Sequence, residues 1–117
     1  MFGPRSATPR ILVRPGVTDM RKAINGLAIL VEQELGQNPF EEAAVFLFCN
    51  RDRRILKALF WDATGFALVH KRLEKHRFPW PQTQDLVCEI TTEQLQMLLG
   101  GIDFWHAHEP LMYQSVS

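Results

Sequence analysis

The chain has 117 residues, 46% of them hydrophobic and 22% charged, which is material for one folded domain with its own core. No apolar run approaches the roughly 20 residues that a membrane helix needs, and the start, MFGPRSATPR, lacks the apolar segment and cleavage site of a secretory signal, so the composition excludes a membrane span and predicts a cytoplasmic protein. The net charge of zero hides a partition: residues 1–22 sum to +4, 23–49 to −4, 50–81 to +5 and 82–117 to −5. Such blocks either neutralise one another within the fold or present separate charged surfaces to partners.

Residues 1–10, rich in Pro, Ser and Arg, read as a flexible arm, residues 11–104 as a single globular domain, and 105–117 as a mobile tail. Ile11-Leu12-Val13 reads as a short strand ended by Pro15-Gly16. Thr18 stands where a helix N-cap belongs, followed by Asp19, and Met20, Ile24, Leu27, Val31 and Leu35 recur at spacings of three and four. This predicts one long helix to about Leu35, stopped at Gly36. Ala43 to Cys49 is an apolar run of strand length, and Asn50 to Arg53 a polar turn.

Arg54–Trp61 and Phe66–Leu73 predict an antiparallel hairpin around Asp62-Ala63-Thr64-Gly65, with Gly65 supplying a positive φ. A three-residue loop pairs Lys57 with Lys71, whereas a shift of one residue pairs Lys57 with His70. Phe78-Pro79-Trp80-Pro81 lacks ladder donors at each Pro and reads as an edge segment or extended loop, with Trp80 displayed or tucked beside it. Leu86 to Ile90 is a last strand, and Thr91-x-x-Gln94 a capping box opening a short helix through Leu95, Leu98, Leu99 and Ile102. The expected fold is α+β: a mainly antiparallel sheet of about five strands, one long helix after strand 1 and one short helix near the C-terminus.

The chemistry-bearing residues concentrate in Asn50–Pro81, which holds eight of the thirteen Lys and Arg residues. A three-stranded meander brings Arg51, Arg53, Arg54, Lys71, Arg72, Lys75 and Arg77 into one neighbourhood. With Lys57 along the hairpin and Trp80 for stacking, these are the candidate nucleic-acid-binding residues. The duller reading is a hairpin with an aromatic buried side and a basic wet side. The cysteines, Cys49 and Cys88, lie in apolar runs and read as buried thiols. His70, His76, His106 and His108 show no metal-ligand spacing with them, so neither metal nor other cofactor is expected. Asp19, Asp62 and Asp103 each have a local role as cap, turn and helix end, and no nucleophile–base pair stands out, so the residues predict no enzyme.

Thr18-Asp19-Met20-Arg21-Lys22 with Gly26-Leu27, Phe46-Leu47-Phe48-Cys49-Asn50-Arg51, Leu56-Lys57, Trp61-Asp62 with Gly65-Phe66, Lys71-Arg72-Leu73-Glu74, Arg77-Phe78-x-Trp80-Pro81 and Leu98-Leu99-x-Gly101-Ile102-Asp103 occur in that order. Together they resemble the small accessory protein of insertion-sequence family sixty-six, the product of the element's second open reading frame. The resemblance covers about Ile11 to Asp103. It implies a bacterial mobile-element protein that assists DNA transposition beside a separate transposase, with no established catalytic activity of its own. The partners it implies are DNA at the element ends, the transposase, and the element's other accessory protein. Direct binding of DNA or of the transposase–DNA complex through the basic hairpin is one expectation. The alternative is a protein-interaction subunit that docks on the transposase without touching DNA.

Overall fold

The computed structural model describes residues 9–82 and 87–105. A five-stranded mixed sheet with two helices is built from β1 (Arg10–Val13), α1 (Ile24–Gln33), β2 (Ala44–Cys49), β3 (Ile55–Asp62), β4 (Gly65–Arg72), β5 (Cys88–Ile90) and α2 (Thr92–Leu99). The spatial order is β4-β3-β2-β1-β5, so the last strand returns to the first rather than extending the meander. β1 and β2 are parallel, joined through α1, because parallel neighbours need a crossover; the other three pairings are antiparallel.

Strand alternation sorts the core onto both faces of the sheet. Leu12, Ala44, Phe46, Phe48 and Leu59 pack with Leu27, Leu30 and Val31 of α1, and Met20, Ile24 and Leu35 flank them. The opposite face carries Ile11, Val13, Leu47, Cys49, Leu56 and Ile90, covered by Phe78, Trp80, Leu98 and Phe104. Burying each Leu or Phe removes enough apolar surface to contribute roughly 1.5–3 kcal/mol, so the central strands are held from both sides.

The helix after β1 is shorter than the periodicity implies. Thr18 is not its N-cap: the residue is buried, its N–H donates to the Cys49 carbonyl at 2.8 Å and its hydroxyl accepts from the Arg14 guanidinium at 3.0 Å. Asp19 closes a turn on Arg21 instead, and the helix starts after Ala23, which supplies no side-chain cap. Gly36, at φ 63°, ends the helical segment as expected, with Gln37 N–H donating to the Val31 carbonyl at 3.1 Å.

The hairpin has a two-residue loop. Asp62 faces Gly65 and Lys57 faces His70, so the Lys57–Lys71 pairing of a three-residue loop does not occur. The positive φ belongs to Ala63, at 55°, and not to Gly65. At the last helix the capping box is present: Gln94 N–H donates to Thr91 Oγ1 at 3.1 Å and Thr91 N–H to Gln94 Oε1 at 2.9 Å. Ile102 lies beyond the helix and is exposed. Leu86, His106 and His108 fall outside the described residues.

Candidate nucleic-acid interface

The basic end of the meander is built around backbone groups, bonded by one another, by the Asn50 amide and by two of its own guanidinium groups. Asn50 accepts through Oδ1 from the N–H groups of Arg54 and Ile55, both at 3.0 Å, and Arg53 N–H donates to the Asn50 carbonyl at 3.1 Å. This wraps the β2–β3 turn around one Asn side chain, a role suited to a short amide. Arg53 takes the left-handed φ of 59° that the wrap demands.

The segment after β4 is laced onto that turn. Leu73 N–H donates to the Arg54 carbonyl at 2.7 Å, Phe78 N–H to the Arg53 carbonyl at 2.6 Å, and Arg77 Nε to the Asp52 carbonyl at 3.1 Å. Arg54 reaches the Glu74 carbonyl at 3.3 Å, while Arg72 pairs with the Glu74 carboxylate at 2.9 Å and remains two-thirds exposed. Arg51, Lys71, Arg72, Lys75 and Arg77 are exposed and Arg53 and Arg54 half-buried. Seven cations thus occupy two interlocked segments, 50–54 and 71–77, whose only carboxylates are Asp52 and Glu74.

Two of the residues singled out from sequence stand elsewhere. Lys57 is 8% exposed, on the face toward α1, and its ammonium donates to the carbonyls of Met20 at 2.9 Å and Lys22 at 3.0 Å. It organises the loop between β1 and α1 and offers no open surface to a phosphate. Trp80 is tucked rather than displayed: it is 4% exposed in the core beneath α2, and its indole N–H donates to the Arg14 carbonyl at 2.8 Å. An Nε1–H bonded inward and a buried ring leave no face on which a base could stack.

The loop that Lys57 holds presents Arg21 and Lys22 to solvent, two cations that sequence reasoning did not place at the site. Asp19 is tied to Arg21 through the side chain at 2.7 Å and through Arg21 N–H at 2.9 Å, and these bonds hold its carboxyl down at about 2. Between this loop and the β2–β3 turn runs an open groove of about 570 Å³ lined by Val17, Thr18, Asp19, Met20, Asn50, Arg51 and Asp52. Among the described residues no three His, Cys, Asp or Glu side chains come together as a metal set. Cys49 is buried, and desolvation pushes its thiol up to about 12; Cys88 is half-buried, its thiol raised by the same cause. No described helix is long and apolar enough to cross a membrane.

The family model described as IS66 Orf2 like protein matches residues 9–109. Two proteins of Sinorhizobium fredii (strain NBRC 101917 / NGR234) are similar over nearly their whole lengths. Uncharacterized protein y4hO is 36% identical over 106 residues, covering 91% of both chains. Uncharacterized protein y4jC is 32% identical over 104 residues, covering 89% of this chain and 87% of its own. No solved structure matches. With the ordered motifs spread over both faces of one sheet and the family model spanning every described element, the chain belongs to the IS66 Orf2-like family of insertion-sequence accessory proteins.

Proposed function

We propose that the chain assists transposition of its element by holding DNA at the basic end of the β2–β3–β4 meander. The observation that supports this reading is the lacing of segments 50–54 and 71–78, which gathers Arg51, Arg53, Arg54, Lys71, Arg72, Lys75 and Arg77 on a hydrogen-bonded backbone. Arg21 and Lys22 extend this surface along the neighbouring loop. Cations on fixed backbone can follow phosphates without reading bases, which suits a protein that positions DNA for a separate enzyme.

A titration of the purified protein with element-end DNA and unrelated DNA over a salt series tests it. Contact with roughly four to six phosphates gives a slope of log K against log salt of about −3.5 to −5.5. Arg51→Glu with Lys75→Glu is expected to weaken binding and leave the melting temperature unchanged, since exposed charges contribute little to folding. If the protein alone binds no DNA yet associates with the transposase in a salt-sensitive way that the same reversals abolish, the basic end docks on protein, and the direct DNA reading fails.

A further inference from the structure

The two edges of the sheet differ. β5 is three residues long, whereas β4 runs for eight with neither Pro nor bulge. Asp62 faces Gly65 at the two-residue turn, and the Leu73 N–H bond to Arg54 continues the same ladder. Bonded positions alternate in an antiparallel pair, so Gly65, Ala67, Val69 and Lys71 bond to β3. The backbone N–H and C=O groups of Phe66, Leu68, His70 and Arg72 therefore point away from the sheet. Among the described residues no strand pairs with that side.

Such a row of donors and acceptors is a template for another strand, and charged side chains on an edge ordinarily block the pairing. On β4 the charges are confined to one end. Lys71 and Arg72 stand there together, next to His70, and Gly65 to Val69 carry none. Val69 is 44% exposed. Phe66 meets Trp61 edge-on and Phe40 at a tilt, at centroid distances of 5.1 and 5.2 Å, and Phe40 is 53% exposed.

This segregation selects the partner. A parallel second copy sets cations against cations. An antiparallel second copy centred on Val69 sets Arg72 against Phe66, Lys71 against Ala67 and His70 against Leu68, and brings the two Val69 side chains together at the two-fold axis. Every outward backbone group from Phe66 to Arg72 then finds a partner. Arg72, whose Nε pairs with Glu74 in its own copy, stands across from Phe66 of the other copy with the rest of its guanidinium within reach of the aromatic trio, a cation–π arrangement, and no Lys or Arg faces another across the seam. Paired residues share a face, so both copies keep α1 on the same side.

We propose that β4 is a self-association edge through which two copies of this chain pair antiparallel about Val69 into one continuous sheet. Sedimentation velocity over a concentration series tests it. The wild type is expected to show a reversible monomer–dimer equilibrium. Val69→Lys, which places two ammonium groups face to face at the axis, is expected to raise the dimer dissociation constant by about tenfold or more. The melting temperature of the monomer should stay unchanged, because residue 69 is exposed. Val69→Cys is expected to give a disulfide-linked dimer on mild oxidation where the wild type gives none, because facing non-bonded positions of antiparallel strands bring Cβ atoms close. A monomer at every concentration up to the solubility limit overturns the proposal. So does a dimer that Val69→Lys leaves unaffected or that does not cross-link through position 69.

Discussion

The ammonium of Lys57, in the middle of β3, donates at 2.9 Å to the carbonyl of Met20, in the loop that precedes α1. A second bond, to the Lys22 carbonyl, makes this one side chain the clamp on a loop with no side-chain cap at its helix end. Lys57→Met keeps the stem and removes the donor, leaving the two carbonyls to find other partners. The expected cost is about 1–3 kcal/mol in denaturant unfolding, with an unchanged salt slope of DNA binding. A Lys57 that touched phosphate would instead lower the slope by about one without loss of stability.

Trp80 separates core from surface in the same way. Trp80→Ala empties a buried indole site and is expected to cost roughly 3–5 kcal/mol. Trp80→Phe retains much of the volume and leaves the Arg14 carbonyl without its donor, so a smaller loss is expected. Equal unfolding midpoints for wild type and Trp80→Ala would show that the ring is not part of the core.

Ala63 carries the left-handed φ at the hairpin tip, a conformation that costs an L-residue roughly 1–2 kcal/mol and glycine much less. Ala63→Gly is expected to raise stability by up to about 1 kcal/mol, part of the relief being offset by greater freedom of the unfolded chain. Gly65→Ala should be tolerated, since an added Cβ meets nothing within 4 Å. Thermal melts of the two variants check both signs. The opposite result would assign the positive φ to Gly65.

The Cys49 thiol, raised by burial from 9.0 to about 12, ties stability to alkaline pH. The folded state holds this proton more tightly than the unfolded chain does. Its contribution is therefore fully present below pH 9 and is lost as pH rises toward 12. Cys49→Ala should flatten that part of the stability profile. In the wild type at neutral pH, alkylation of Cys49 is expected to proceed only through unfolding, and mass-resolved labelling across a urea series would reveal it.

What the sequence reveals depends on whether one residue's role is decided locally. The α1 face is legible because Ile24, Leu27 and Val31 repeat at helical spacing, and the Thr91–Gln94 box because its partners lie three residues apart. The basic end is legible for the same reason, as consecutive strands of a meander must meet. Thr18-Asp19 misleads because Thr18 is taken up by the Cys49 carbonyl of β2 and by Arg14, and Asp19 by the neighbouring Arg21, so neither is left to cap the helix. Lys57 misleads because a cation in a basic stretch reads as surface, while the carbonyls of Met20 and Lys22 hold it inside; Trp80, displayed or tucked by its sequence, is tucked because it packs in the core and the distant Arg14 carbonyl accepts its indole N–H. Gly65 draws the positive φ to itself in any reading by residue type, yet the strand register gives it to Ala63.

The placement of β1 bears on how the protein is made. Its two neighbours are β2 and β5, and Ile11 lies opposite Ile90. During synthesis the β2–β3–β4 meander has all its pairings within a short span of chain and can assemble as soon as it leaves the ribosome, whereas β1 gains its second partner only after the chain is translated past Ile90. Until then a strand of Ile, Leu and Val keeps an open flank. A ribosome that stops after Gln82 would release a chain whose first strand has no neighbour on that side, so premature termination within the gene should yield aggregate rather than a shortened soluble domain.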